Sequence, residues 1–342
     1  MNKRKFNRKS LKKGIRLFLF ISFITITVIL IFTVSEETKE GLKLISPLFL
    51  ILTIISVFLR FLFDIWRVRY IAVAMGRELS WIGAFYFTLG GLFLGAVTPM
   101  QIGGIPLQLY VCKSEGISLP EGSATIFTRG LLSAFVLPFL IPFMYYYRVY
   151  LTVGVVQGVV KYLSIFYGLM AFVFIIILTK TEWVTRLFKG KFVEGFVRFK
   201  EVFRREFVKR KIPFLKAYGI TWLSLIFYFL TAPLLLRGLG IDTPFLETTI
   251  LQVILTYALN FMPTPGASGF AEGGAYILFH HLMPKTMLGI YVVLWRFFTG
   301  YLGVIVGGFA LSRLFATPGS ISDIFSITKE NSDSLEENSK RA

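Results

Sequence analysis

The 342-residue chain is 55% hydrophobic and only 16% charged, with a mean hydropathy of +0.69. An ordinary soluble domain carries about 25% charged residues, and a membrane β-barrel is written in short alternating segments, so the long apolar runs here exclude both and leave a polytopic helical membrane protein. The formal charge of +18 does not imply a nucleic-acid partner, because eight Lys/Arg fall in the first 16 residues and twelve, against four acids, in Lys180–Lys216. Both patches flank apolar spans, as cytoplasmic topology anchors do under the positive-inside rule, and both are placed to touch anionic head groups.

In chain order, residues 1–14 read as a basic cytoplasmic tail and Ile15–Val34 as a retained first span, too long and without the small-residue site of a cleaved signal peptide. A polar loop, Ser35–Lys43, precedes a second span at Leu44–Phe63. Asp64–Ser80 carries Arg67, Arg69 and Arg77 among apolar residues and reads as an amphipathic interfacial extension. Trp81–Val97 and Ile105–Cys112 are helical but short. Ser123–Tyr147 is a span bent by Pro138 and Pro142, and Tyr150–Thr179 is another. Lys180–Lys211 is a basic amphipathic connector. Phe214–Leu236, the pair Phe245–Met262 and Phe270–Leu282, and the span Met287–Leu311 follow. The Ser/Glu/Asn-rich segment 314–342 has the composition of a disordered tail.

Two Gly/Pro-broken segments stand out. GAVTPMQIGGIPLQ (Gly95–Gln108) contains Thr98, Pro99, Gln101, Gly103, Gly104 and Pro106. NFMPTPGASGFAEGG (Asn260–Gly274) contains Asn260, Pro263, Thr264, Pro265, Gly266, Gly269 and Glu272. A lone arginine follows each Thr-Pro at nearly the same distance, Arg129 at 30 residues from Pro99 and Arg296 at 31 from Pro265. Interrupted segments at matching places in two halves point to a binding site at the middle of a transporter. The prolines interrupt helical hydrogen bonding and the glycines permit close backbone approach. Helix starts after such breaks offer free N–H groups to phosphate or carboxylate oxygens; the alternative is ordinary kinks in packed helices.

The charge rule gives a topology. With the N-terminus inside, six full spans and two re-entrant pairs return the chain to the cytoplasm. The units 44–147 and 214–313 each read span, broken pair, span, and they enter their pairs from opposite sides. The expected fold is therefore an all-α membrane protein with an inverted repeat.

Charged residues inside hydrocarbon are costly and demand a partner or a wet cavity. Glu272 lies in an apolar half-helix, with Arg296 as its leading partner; the pair either locks two helices or acts on a ligand. Arg129 has no acid at the matching offset, with Gln101, Gln108 and Glu115 as possible neighbours. It reads equally as an anion ligand or as an arginine snorkelling to head groups. Cys112 is alone, so no intramolecular disulfide exists, and two histidines are too few for a metal cluster. No nucleotide, dinucleotide, metalloprotease or hydrolase motif is present, and no cofactor or catalytic residue is expected.

At the two broken motifs, Thr98-Pro99 with Gly103-Gly104 and Pro106, and Pro263-Thr264-Pro265-Gly266 with Gly269, Glu272 and Arg296, the chain resembles the transmembrane family named after lysylphosphatidylglycerol synthases, also described as a flippase-like domain. The likeness runs from about residue 15 to 313. The double glycine frequent after the second proline is here Gly266-Ala267. The resemblance implies flipping of an anionic or aminoacylated phospholipid, such as phosphatidylglycerol or its lysyl derivative, in a bacterial-type cytoplasmic membrane with both termini inside. It also implies a possible homodimer or lipid-modifying enzyme partner. The residues after the last span are too few for the soluble synthase domain of bifunctional relatives. A phosphatidylglycerol lysyltransferase-type membrane enzyme and a non-transporting scaffold remain the competing readings.

Overall fold

The computed structural model describes residues 8–33, 43, 45–147, 154–179, 205–206 and 209–315. The residues described are helices and turns, with no strand among them. Most of the basic connector 180–211 and the tail from 316 lie outside the described residues. Helix α1 spans Arg8–Thr33, so the helix begins inside the predicted basic tail. Helix α2 is Pro47–Ala74, with Pro at its first helical position, where the missing N–H costs nothing. Among the described residues, five helical stretches are long and apolar enough to cross a bilayer: Arg16–Thr33, Pro47–Ala74, Leu119–Tyr146, Lys211–Gly238 and Lys285–Leu314. The fourth predicted span, Tyr150–Thr179, corresponds to α7, Gly154–Thr179.

The amphipathic extension expected from Asp64 is corrected by the structure. Helix α2 runs unbroken to Ala74, and Asp64 and Arg67 are buried within it. The expected span stops at Phe63, just before its first acid, whereas pairing of Asp64 with Arg67 and Arg129 lets these charges stay inside.

The first broken pair consists of α3, Trp81–Ala96, which contains a π turn at Tyr86–Gly90, a short 3-10 turn at Pro99–Gln101, and α4, Gly104–Ser114. A 16-residue α3 is roughly 24 Å long, short of a hydrocarbon core of about 30 Å. The pair is a hairpin: at its open end Ser80, the N-cap of α3, donates from Oγ to Glu115 beyond the end of α4 (2.6 Å). The second pair is built alike, from α10 (Phe245–Leu259), a 3-10 turn at Pro265–Ala267 and α11 (Phe270–Phe279). Its open end is closed by His281 and Glu247 at 3.3 Å.

The predicted span Ser123–Tyr147 starts earlier, at α5 (Leu119–Ala134), where Glu121 caps the Ser118 N–H, and continues as α6 (Leu137–Tyr147) after a break before Pro138. The span after the connector is α8 (Lys211–Phe229) followed by α9 (Thr231–Gly238), interrupted at Leu230 ahead of Pro233. The last is α12 (Lys285–Arg296), a π turn at Phe297–Tyr301, and α13 (Leu302–Phe315).

The packing is reciprocal between the halves. Helices α2 and α8 run antiparallel in extended contact. Ser46 pairs with Gly238, Ser56 with Phe227 and Arg60 with Ser224, partner numbers falling as those of α2 rise. Helix α3 packs on α13 of the other half, and α10 packs on α6 of the first. Each half-helix packs on the span that follows it, α4 on α5 and α11 on α12, and the two 3-10 turns touch. One apolar core gathers α9–α12 with α6 and α7, and a second joins α2, α3 and α4 to Leu311 of α13.

Candidate functional site

Where the two breaks meet, a cavity of about 280 Å³ opens. Its charged lining comes from three elements: Arg60, Asp64 and Arg67 on α2, Arg129 on α5, and Arg296 at the end of α12. Gln101 and Gly266 reach it from the two breaks, and Asn260 from the end of α10.

Asp64 is the hub of the first half. Arg129 donates to its Oδ2 at 2.7 Å, and Arg67 to its Oδ1. The sequence offered Gln101, Gln108 and Glu115 as possible neighbours of Arg129; the acid that pairs with it comes instead from α2, 65 residues away, which no local offset reveals. Arg67 also donates to Ser133 Oγ at 2.8 Å. The Nε atoms of Arg67 and Arg129 are buried without a hydrogen-bond partner among the described residues, which costs free energy unless a ligand or water supplies an acceptor. Arg60 meets no carboxylate within ion-pair distance among the described residues. It donates to the Thr299 carbonyl, inside the second π turn, at 3.1 Å, and lies 3.9 Å over the Tyr228 ring.

Glu272 belongs to the framework. It is fully buried, accepts from Arg296 Nε at 2.9 Å and Tyr301 Oη at 3.1 Å, and caps α11 by accepting the Gly269 N–H at 2.7 Å. Gly269 has φ +84°, a conformation open to glycine. Arg296 then donates to the Gly266 carbonyl at 2.6 Å, pinning the second break to α12. Of the alternatives for this pair, the geometry matches a lock between helices, with Arg296 still lining the cavity.

Several predicted contacts hold the breaks and do not line the cavity. Thr98 Oγ1 donates to the Leu94 carbonyl (2.9 Å) and accepts the Gly103 N–H (2.9 Å). Thr264 Oγ1 donates to the Ser268 carbonyl at 2.8 Å. Gly104 lets α4 approach α3 so closely that an added Cβ would lie 2.5 Å from the Gly91 carbonyl oxygen. The amides of Gly103 and Gly269, expected to hold anion oxygens, are taken by Thr98 and Glu272. The arginines are the charged donors the cavity offers an anion, beside the side-chain amides of Gln101 and Asn260. Both breaks also hold a non-glycine residue in the left-handed region, Gln101 (φ +58°) and Ala267 (φ +56°). The latter stands where the resembled family often has its second glycine.

Sequence reasoning passed over Arg60, Asp64 and Arg67. Their spacing of four and three residues on one helix carried the signal, since it sets all three on one face.

Residues 18–307 match a family model described as "Lysylphosphatidylglycerol synthase TM region". A curated relative, "UPF0104 membrane protein" of Archaeoglobus fulgidus, is 22% identical over 314 residues, covering 86% of this chain and 95% of the relative. With the match extending over most of its length and through both broken segments, the chain belongs to the lysylphosphatidylglycerol synthase transmembrane-region family.

Proposed function

We propose that the protein moves the head group of an anionic or aminoacylated phospholipid, such as phosphatidylglycerol or its lysyl derivative, between the leaflets of the cytoplasmic membrane. The observation that carries this reading is the arginine-rich cavity at the meeting of the two breaks. A phosphate is a fitting guest for convergent guanidinium groups. Acyl chains can stay in lipid while the head crosses, and no chemical step or cofactor is required.

The topology of this reading is six full spans and two re-entrant pairs, with both termini cytoplasmic. The antiparallel run of α2 and α8, the closed open-ends of the two hairpins and the exchanged packing of α3 and α10 support an inverted repeat. An inverted pair of units is suited to rocking around a fixed central site.

The test is leaflet exchange of labelled phosphatidylglycerol in proteoliposomes. The wild type is expected to accelerate exchange, and Arg129→Gln to abolish at least nine-tenths of it while keeping its elution profile and melting temperature. Exchange undiminished in Arg129→Gln, or none in the wild type, rejects transport of this lipid through the cavity. No exchange in the wild type, together with a cellular function that survives neutralising both Arg129 and Arg296, would favour the scaffold reading.

A further inference from the structure

Resting on that reading, we infer that the cavity selects a phosphomonoester dianion, and that a lysyl-bearing head group is disfavoured in it. The argument is one of charge and of spent acceptors. Arg60, Arg67, Arg129 and Arg296 face Asp64 and, behind the wall, Glu272. Four guanidinium groups against two carboxylates leave two formal positive charges.

Glu272 is closed to a cationic ligand, and Asp64, which lines the cavity, is already neutralised by two guanidinium groups. Asp64 gives one oxygen to Arg67 and the other to Arg129. Glu272 gives Oε1 to Arg296 and Tyr301, and Oε2 to the Gly269 amide, and it is wholly buried. A lysyl ester places two ammonium groups beside one phosphodiester, and among the described residues lining the cavity no further acid is present to receive them. Donors, by contrast, are in surplus: Arg60 is held only by a carbonyl and aromatic faces, and Arg129 keeps a quarter of its side-chain surface exposed. A phosphomonoester carries about −1.5 to −2 charges and three strong acceptor oxygens, where a phosphodiester carries one charge and fewer free oxygens. The monoester matches both the charge and the donor surplus. A lipid phosphate and a soluble organic phosphate share this chemistry.

Two measurements on the full chain test the inference. The first is leaflet exchange in proteoliposomes of labelled phosphatidic acid, phosphatidylglycerol and lysylphosphatidylglycerol. The second is thermal stabilisation in detergent by dioctanoyl phosphatidic acid, dioctanoyl phosphatidylglycerol and glycerol 3-phosphate. The expected order of exchange is phosphatidic acid, then phosphatidylglycerol, then the lysyl lipid, with about tenfold between the first two from one further charge-assisted contact. Arg60→Gln should collapse that ratio toward one, and Arg60→Lys should keep it. Lysylphosphatidylglycerol moving as fast as phosphatidic acid overturns the inference and leaves lipid transport standing. Stabilisation by the lipid monoester without exchange of any lipid supports the inference and removes transport. Stabilisation by glycerol 3-phosphate alone supports the same chemistry with a soluble source. Neither exchange nor stabilisation overturns both readings.

Discussion

Glu272 and Arg129 are both charged residues in apolar helices, yet their surroundings give them different work. Glu272 is fully buried and accepts from Arg296, Tyr301 and the Gly269 amide. Arg129 keeps a quarter of its side-chain surface exposed, and its partner Asp64 retains Arg67 when Arg129 is removed. Removing one partner of a buried ion pair strands the other charge, at about 3–5 kcal/mol. Glu272→Gln should therefore lower the detergent melting temperature sharply, while Arg129→Gln moves it little and acts on exchange. A Glu272→Gln protein that melts like wild type but no longer binds or moves lipid would instead make Glu272 a ligand residue. The Glu272–Arg296 pair was legible in the sequence, since both lie in the same unit and no other intramembrane acid competes nearby. The Arg129–Asp64 pair was not, because its ends lie 65 residues apart on either side of the broken pair and a hydropathy boundary had put Asp64 at the surface.

At the scale of elements, the breaks were legible because Pro and Gly change backbone rules locally, and the structure places both at short 3-10 turns. The π turns were not legible: Tyr86–Gly90 and Phe297–Tyr301 are apolar runs with the composition of the helices around them. Yet the second π turn presents the Thr299 carbonyl to Arg60, so an element invisible in the pattern helps to set the cavity wall. The tightest joint in the first break is Gly104 against the Gly91 carbonyl. Backbone cannot swing aside as a side-chain tip can, so Gly104→Ala should separate α3 from α4 and cost about 1–3 kcal/mol by overpacking. Gly130 on α5 has open space where a Cβ would stand. Gly130→Ala should be neutral or stabilising by about 0.5–1 kcal/mol, from helix propensity alone. Melting curves of the two variants check the contrast; equal melting temperatures would mean that the close approach at Gly104 is not a constraint.

For the whole molecule, the question is which side of the membrane each hairpin opens on. Each broken pair closes its open end on itself, through Ser80–Glu115 and Glu247–His281, so each is expected to leave the bilayer where it enters. Because α2 and α8 are antiparallel and each leads into one pair, the two hairpins should open on opposite sides. Glu78 and Ser114 are exposed and flank the first pair; Asp242 and Lys285 are exposed and flank the second. Single cysteines at these four positions in a Cys112→Ala background can be probed with a membrane-impermeant maleimide on intact cells. The basic patches orient the first pair inward, so Asp242→Cys and Lys285→Cys should label directly, and Glu78→Cys and Ser114→Cys only after permeabilisation. Opposite accessibility within either pair would mean that the broken segment crosses fully. The two units would then not be inverted, and alternating access around the arginine cavity would lose its structural basis.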